Sequence, residues 1–194
     1  MSGVTRNPRP LFVTALPSAP SDGMEVYYQS TTAGTGGGAT DTMATAGAVW
    51  HLRYRAAGGT HKWEFVGGGR TAHSIDTSEA RASVGSFGDV ATVGPSLVVP
   101  LAGEYDVLYG CRSNADNANR NLAVEIAKNG TQVEYAYVAA SDSATDGSSG
   151  ASANVVVQLT LAASDALKVR YFSGISVTPT FSNRRIRLTP IRVG

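Results

Sequence analysis

Apolar and polar residues alternate with a period of two along most of this chain, in runs too short for helices and bounded by Gly, Pro, Asn and Ser. "EVYYQ" sets Val26 and Tyr28 against Glu25, Tyr27 and Gln29, and "AVWHLRYRA" sets Trp50, Leu52 and Tyr54 against His51, Arg53 and Arg55. "HKWEFVGGG" turns Trp63 and Phe65 inward, and the Gly-containing link 56–60 predicts a hairpin between these two runs. Further on, "GEYDVLYGCR" aligns Tyr105, Val107, Tyr109 and Cys111, while "ANVVVQLTL" aligns Val155, Val157, Leu159 and Leu161. "ALKVRYF" aligns Leu167, Val169 and Tyr171, and "RRIRLTPIR" presents Ile186 and Leu188 before Pro190 shifts the phase. Asn129-Gly130 is the dipeptide a two-residue type I′ turn prefers. If Lys128 pairs with Thr131, then Ile126 faces Val133, Val124 faces Tyr135 and Leu122 faces Tyr137, apolar on apolar.

The punctuation between runs predicts the organisation. Residues 1–22 carry four prolines and read as an extended arm, because proline gives no amide to a ladder. Residues 23–69 read as a small β attachment module with Trp50, Tyr54, Trp63 and Phe65 as its core, interrupted by a mobile loop over 31–47. Residues 70–86 read as a linker in which Thr77 caps at most one helical turn. Residues 87–194 form a series of short strands with regular turns and no helical period, which means an antiparallel sandwich or barrel. Pro95 and Pro100 belong at a sheet edge, and Gly103 turns the chain into its next strand.

Composition agrees: 22 glycines and only 16% charged residues suit an all-β chain better than a helical one. The single cysteine, Cys111, forms no internal disulfide and reads as a small buried residue. Sixteen basic against 15 acidic residues remove the electrostatic case for nucleic acid or a membrane surface, and "NRRIRLTPIR" reads as the wet face of a strand. The amino end has no apolar h-region and the apolar runs are too short to span a bilayer, so the expectation is a soluble product made in a cytoplasm.

The pattern places no catalytic cluster. Glu25, Glu64, Glu104 and Glu125 alternate with inward residues and read as outward-facing. His51, His61 and His73 lack metal-ligand spacing, "DSATDG" and "NADNAN" lack the ordered calcium-loop pattern, and "GTGGG" lacks the lysine of a phosphate loop, so no catalytic residue, metal or cofactor is expected. For Trp50 and Trp63 the alternative to a core role is stacking on a sugar ring.

Six stretches carry resemblances, three to one family and three to another. "VPLAGEYDVLYG", "NLAVEIAKNGTQV" and "VVVQLTLAASDALKVRYF" resemble the jelly roll shared by complement globular heads and tumour necrosis factor ligands, over residues 88–194. "RRIRLTPIRV" departs from that family's aromatic-rich last strand. The amino-terminal "PSAPSDGMEVYYQS", "GAVWHLRYR" and "KWEFVGGG" resemble a module of tailed-phage minor tail or fibre proteins. The jelly-roll likeness implies a homotrimer whose core or axis takes Tyr105, Tyr109, Tyr135, Tyr137, Tyr171 and Phe172, and it places the strands flanking Asn129-Gly130 in facing sheets instead of one hairpin. It also presents two loops at a tip, with Asn114, Asp116, Asn117, Asn119, Arg120, Asp142 and Asp146 as candidate receptor contacts. The phage likeness implies a non-enzymatic virion protein whose arm binds other virion proteins and whose tip meets host cell-surface glycan. The alternatives are a capsid decoration or head fibre of the same architecture, a glycan-processing enzyme and a lectin-like module unrelated to phages.

Overall fold

The computed structural model describes residues 10–30, 41–43, 48–82, 85–114, 122–137, 150–174 and 178–194, all strands and connections with no helix among them. Two sheets share one apolar core. The smaller holds β8 (Ser96–Val98), β10 (Leu122–Lys128), β11 (Thr131–Tyr137) and β13 (Ala166–Ser173), antiparallel in the order β11-β10-β13-β8. The larger is centred on β14 (Thr180–Val193), with β9 (Gly103–Asn114) along one side and β12 (Gly150–Leu161) beyond it. The other side of β14 is divided among β7 (Glu79–Ala80), β6 (Thr71–Ile75) and β5 (Trp63–Gly68) from its start to its end. β3 (Asp41–Met43) flanks β6, and β4 (Val49–Tyr54), β2 (Glu25–Gln29) and β1 (Leu11–Val13) continue outward from β5. From β8 onward the chain passes between the sheets at every connection except the β10–β11 hairpin, which is the path of a jelly roll.

The period-two reading holds through the core. Tyr105, Val107, Tyr109 and Cys111 from β9 meet Val124 and Ile126 from β10 and Leu167, Val169 and Tyr171 from β13, all buried. Val155, Val157 and Leu159 share a face as expected but stay half-buried, because among the described residues β12 has a strand neighbour on one side only.

Several expectations are corrected. The residues flanking Asn129-Gly130 are hydrogen-bonded neighbours in one sheet, not facing layers, and the turn has both residues in the left-handed region, at φ 51° and 82°. Lys128 pairs with Thr131, yet a bulge at Val133 then slips the register by one residue, so Glu125 faces Tyr135 and Ala123 faces Tyr137. A one-residue slip exchanges faces, and both tyrosines leave the core side.

The expected linker carries β6 and β7, both laddered to β14, with Thr71, His73 and Ile75 buried; Glu79–Ala80 is extended where a helical turn was expected. Small residues made 70–86 look like a loop, although "TAHSI" itself alternates. The expected attachment module is hydrogen-bonded into the same sheet, Trp63 pairing with Val193, and the Trp50 ring lies 6.2 Å from that of Tyr105. Within the expected mobile loop, residues 41–43 form β3 and the remainder lies outside the described residues. Of the arm, Leu11–Val13 is an edge strand parallel to β2, and residues 1–9 lie outside the description.

Candidate functional site

The six aromatic candidates divide into two groups. Tyr105, Tyr109 and Tyr171 are core residues: Tyr105 donates to the Leu101 carbonyl at 2.5 Å and Tyr171 to the Gly94 carbonyl at 3.1 Å. Burial raises all three phenols above their ordinary range, so they stay neutral, and the Tyr109 hydroxyl is buried without a hydrogen-bond partner among the described residues. Tyr135 and Tyr137 are 42% and 66% exposed, and Phe172 is half-buried on the same outer face of the smaller sheet. Phe87 joins them, its ring centroid 5.9 Å from Tyr135 and 5.3 Å from Phe172, while Tyr135 and Tyr137 meet edge-on at 5.5 Å. Under this aromatic face Glu125 is fully buried, contrary to the outward role expected of it, and pairs with Arg170. Burial is the largest influence on Glu125 and raises its carboxyl, with Arg170 drawing it partly back.

A second aromatic row crosses the other end of the larger sheet. Phe12, 68% exposed on β1, lies 5.0 Å from Tyr27, and Tyr27 lies 4.9 Å from the His51 ring. Glu25 beside them accepts from Arg53 Nε at 2.8 Å and binds His51 Nε2 at 2.9 Å. Hydrogen bonds first from Arg53 and then from His51 hold its carboxyl below the ordinary 4.5. Trp50 and Trp63 show 0% and 3% of their surface, which leaves no ring face for a sugar; Tyr54 and Phe65 are half-buried beside them.

Of the loop candidates, Asn114 is exposed at the end of β9, opposite Gly150 and Thr180; Asp116, Asn117, Asn119, Arg120, Asp142 and Asp146 lie outside the described residues. Two rungs inside the Asn114–Gly150 pair, a pocket of about 270 Å³ opens on the larger sheet between Arg112, Ser152, Asn183 and Arg185. Neither the half-buried Phe87 nor this pocket was singled out from the sequence. Arg184, read there as part of a wet face, is fully buried and makes an ion pair with Glu79 at 3.0 Å. Its phase with Ile186 and Leu188 was the available signal.

Among the described residues no cluster of His, Cys, Asp and Glu has metal-binding geometry, and no helix is long and apolar enough to cross a membrane.

No family model matches this chain, and no curated protein does. Several solved structures align with it at low identity. The Eiger tumour necrosis factor of S. frugiperda aligns at 14% identity and a TM-score of 0.48, over 63% of this chain and 92% of that one. The infectious bursal disease virus Gt strain structure aligns at 10% identity and 0.43, over 91% of this chain and 53% of that one. The dimeric latent PorU of Porphyromonas gingivalis aligns at 9% and 0.37, over 62% of this chain and 13% of that one. The jelly-roll assignment rests on the strand order itself.

Proposed function

We propose that this chain is a non-enzymatic structural protein of a tailed-bacteriophage virion, a minor tail or tail-fibre component that assembles as a homotrimer. In this reading the amino-terminal segment binds other virion proteins, and the jelly-roll end marked by Asn114 and Gly150 faces the host-cell surface and its glycans. The observation that carries it is the pair of aromatic clusters, Phe12–Tyr27–His51 and Phe87–Tyr135–Tyr137–Phe172, that reach solvent through Phe12 and through Tyr135 and Tyr137 at two separate places on one sandwich. Solvent-facing aromatic clusters of this kind are characteristic of protein contact surfaces. A self-contact and an anchor contact occupy one each.

Gold labelling of a carboxyl-terminal tag on intact particles, viewed by electron microscopy, tests the assignment. Label at the tail tip is the expected result. Label over the capsid identifies a decoration or head-fibre protein instead, with β1 and its preceding arm as the anchor, and unlabelled particles overturn a virion role altogether.

A further inference from the structure

The pocket near the Asn114–Gly150 rung is built by a defect in the central strand. Ser182 pairs with Arg112 and Arg185 with Gly110, so β14 spends one residue more than β9 between these rungs. Asn183 absorbs the extra residue in the left-handed region at φ 47°. The bulge leaves Ser182 and Asn183 both on the outer face and sends Arg184 inward. The ladder thereby opens between two outward arginines.

Each arginine is placed differently. Arg185, Gly110 and Asn154 lie across one rung, and because Gly110 has no side chain, Arg185 reaches over it to Asn154. Nε and Nη2 of Arg185 both donate to Asn154 Oδ1, at 2.9 and 2.5 Å, which fixes the plane of the guanidinium. A Cβ on Gly110 would run into the Ala153 carbonyl and Asn154 Oδ1, so the arrangement depends on glycine there. Arg112, two rungs on and paired with Ser152, is exposed and has no ion-pair partner among the described residues. Ser74 and Asp76 close the pocket from the β6 side, and the nearly buried Cys111 also lines it.

We propose that this pocket binds the carboxylate-bearing ring of an acidic saccharide, with Arg112 and Arg185 on the carboxylate and Ser74, Asp76, Ser152 and Asn183 on the ring hydroxyls. Two guanidiniums suit a planar carboxylate by forked donation. Asp76 argues against a compact dianion such as phosphate, since its own charge opposes a second negative charge. It accepts readily from hydroxyls, as do the serines and the asparagine, so a ligand with one negative charge and several hydroxyls uses every polar group present. The inference rests on the reading that this end of the sandwich meets host glycan, and it names the class of glycan.

The test is calorimetric titration of the full chain at low ionic strength with a trigalacturonic acid, with the neutral galactose trisaccharide and with inorganic phosphate. The expected result is binding of the acidic trisaccharide alone, weakened about tenfold by either Arg112→Gln or Arg185→Gln, the loss of one charge-assisted hydrogen-bond pair. Both arginines are exposed, so the melting temperatures of the variants should match the wild type, and added salt should weaken the binding. Equal binding of the neutral trisaccharide, equal binding of phosphate, or unchanged affinity in both variants each overturns the proposal. Its failure is separable from failure of the virion reading. Label at the tail tip with no saccharide binding removes the pocket's role and leaves the assembly role, and saccharide binding with unlabelled particles does the reverse.

Discussion

Arg184 is a cation with no exposed surface, held in the core through its two terminal nitrogens, Nη2 on Glu79 Oε2 at 3.0 Å and Nη1 on the Thr92 carbonyl at 3.0 Å, while its buried Nε has no hydrogen-bond partner among the described residues. Its guanidinium also lies 5.8 Å from the centre of the Tyr171 ring. Burial is the largest influence on Glu79 and opposes its charge, but hydrogen bonds from the Thr92 hydroxyl and amide, together with Arg184, outweigh it and hold the carboxyl below 4.5. A carboxyl depressed in the folded state contributes stability that is present above its unfolded value and is lost as pH falls through the folded one. Glu25 and Asp165 are depressed as well, so urea unfolding should show stability falling as pH drops below about 5. Glu125, raised by burial, acts with the opposite sign. Glu79→Gln should cost about 3 kcal/mol at neutral pH, since it strands a buried guanidinium, and should flatten the acid decline. An unchanged pH profile would show that the pair does not couple to folding. Cys111, whose thiol burial pushes up to about 12, should resist alkylation in the folded protein at pH 8 and react at an ordinary rate once unfolded. Rapid labelling under native conditions would mean that the end of the sandwich opens readily.

The β10–β11 hairpin shows what one element made legible and what it hid. Asn129-Gly130 announced the turn, and the structure has the conformation that this dipeptide favours, with Gly130 at φ 82° and open space where a Cβ would stand. Gly130→Ala should therefore destabilise by about 1 kcal/mol through backbone strain alone, read as a shift of the urea midpoint with unchanged slope. The bulge at Val133 was not legible, because a bulge has no composition of its own and every apolar residue found an apolar partner in the unbulged register. That slip decided the candidate site, since it moved Tyr135 and Tyr137 from core to surface. The bulge at Asn183 had the same effect on the pocket. Inward positions such as Val124, Val169 and Leu188 were readable because alternation survives within any unbroken run. The places where it breaks are where candidate functional side chains emerge.

For the molecule as a whole, the exposed aromatic face on the smaller sheet is the feature most directly tied to assembly. Tyr135→Ser with Tyr137→Ser should convert the proposed trimer to a monomer by analytical ultracentrifugation. The unfolding midpoint of the monomer should stay close to that of the parent subunit, because neither ring supports the core. A trimer that survives both substitutions would place the subunit contact elsewhere. Tyr105, Tyr109 and Tyr171 offer no such test, since removing any of them opens a core cavity.

The position of β14 has a consequence for synthesis. It is the last strand in chain order and it contacts β5, β6, β7 and β9, so every earlier piece of the larger sheet waits for it. A ribosome delivers the chain vectorially, and until residues 180–193 clear the exit tunnel the β1–β2–β4–β5 strands and the β9–β12 pair have no common neighbour in their sheet. The fold should therefore form late and cooperatively, with the slow kinetics of long-range strand pairing. Nascent chains stalled before residue 180 should be digested by protease throughout, and protection should appear in one step once β14 is released.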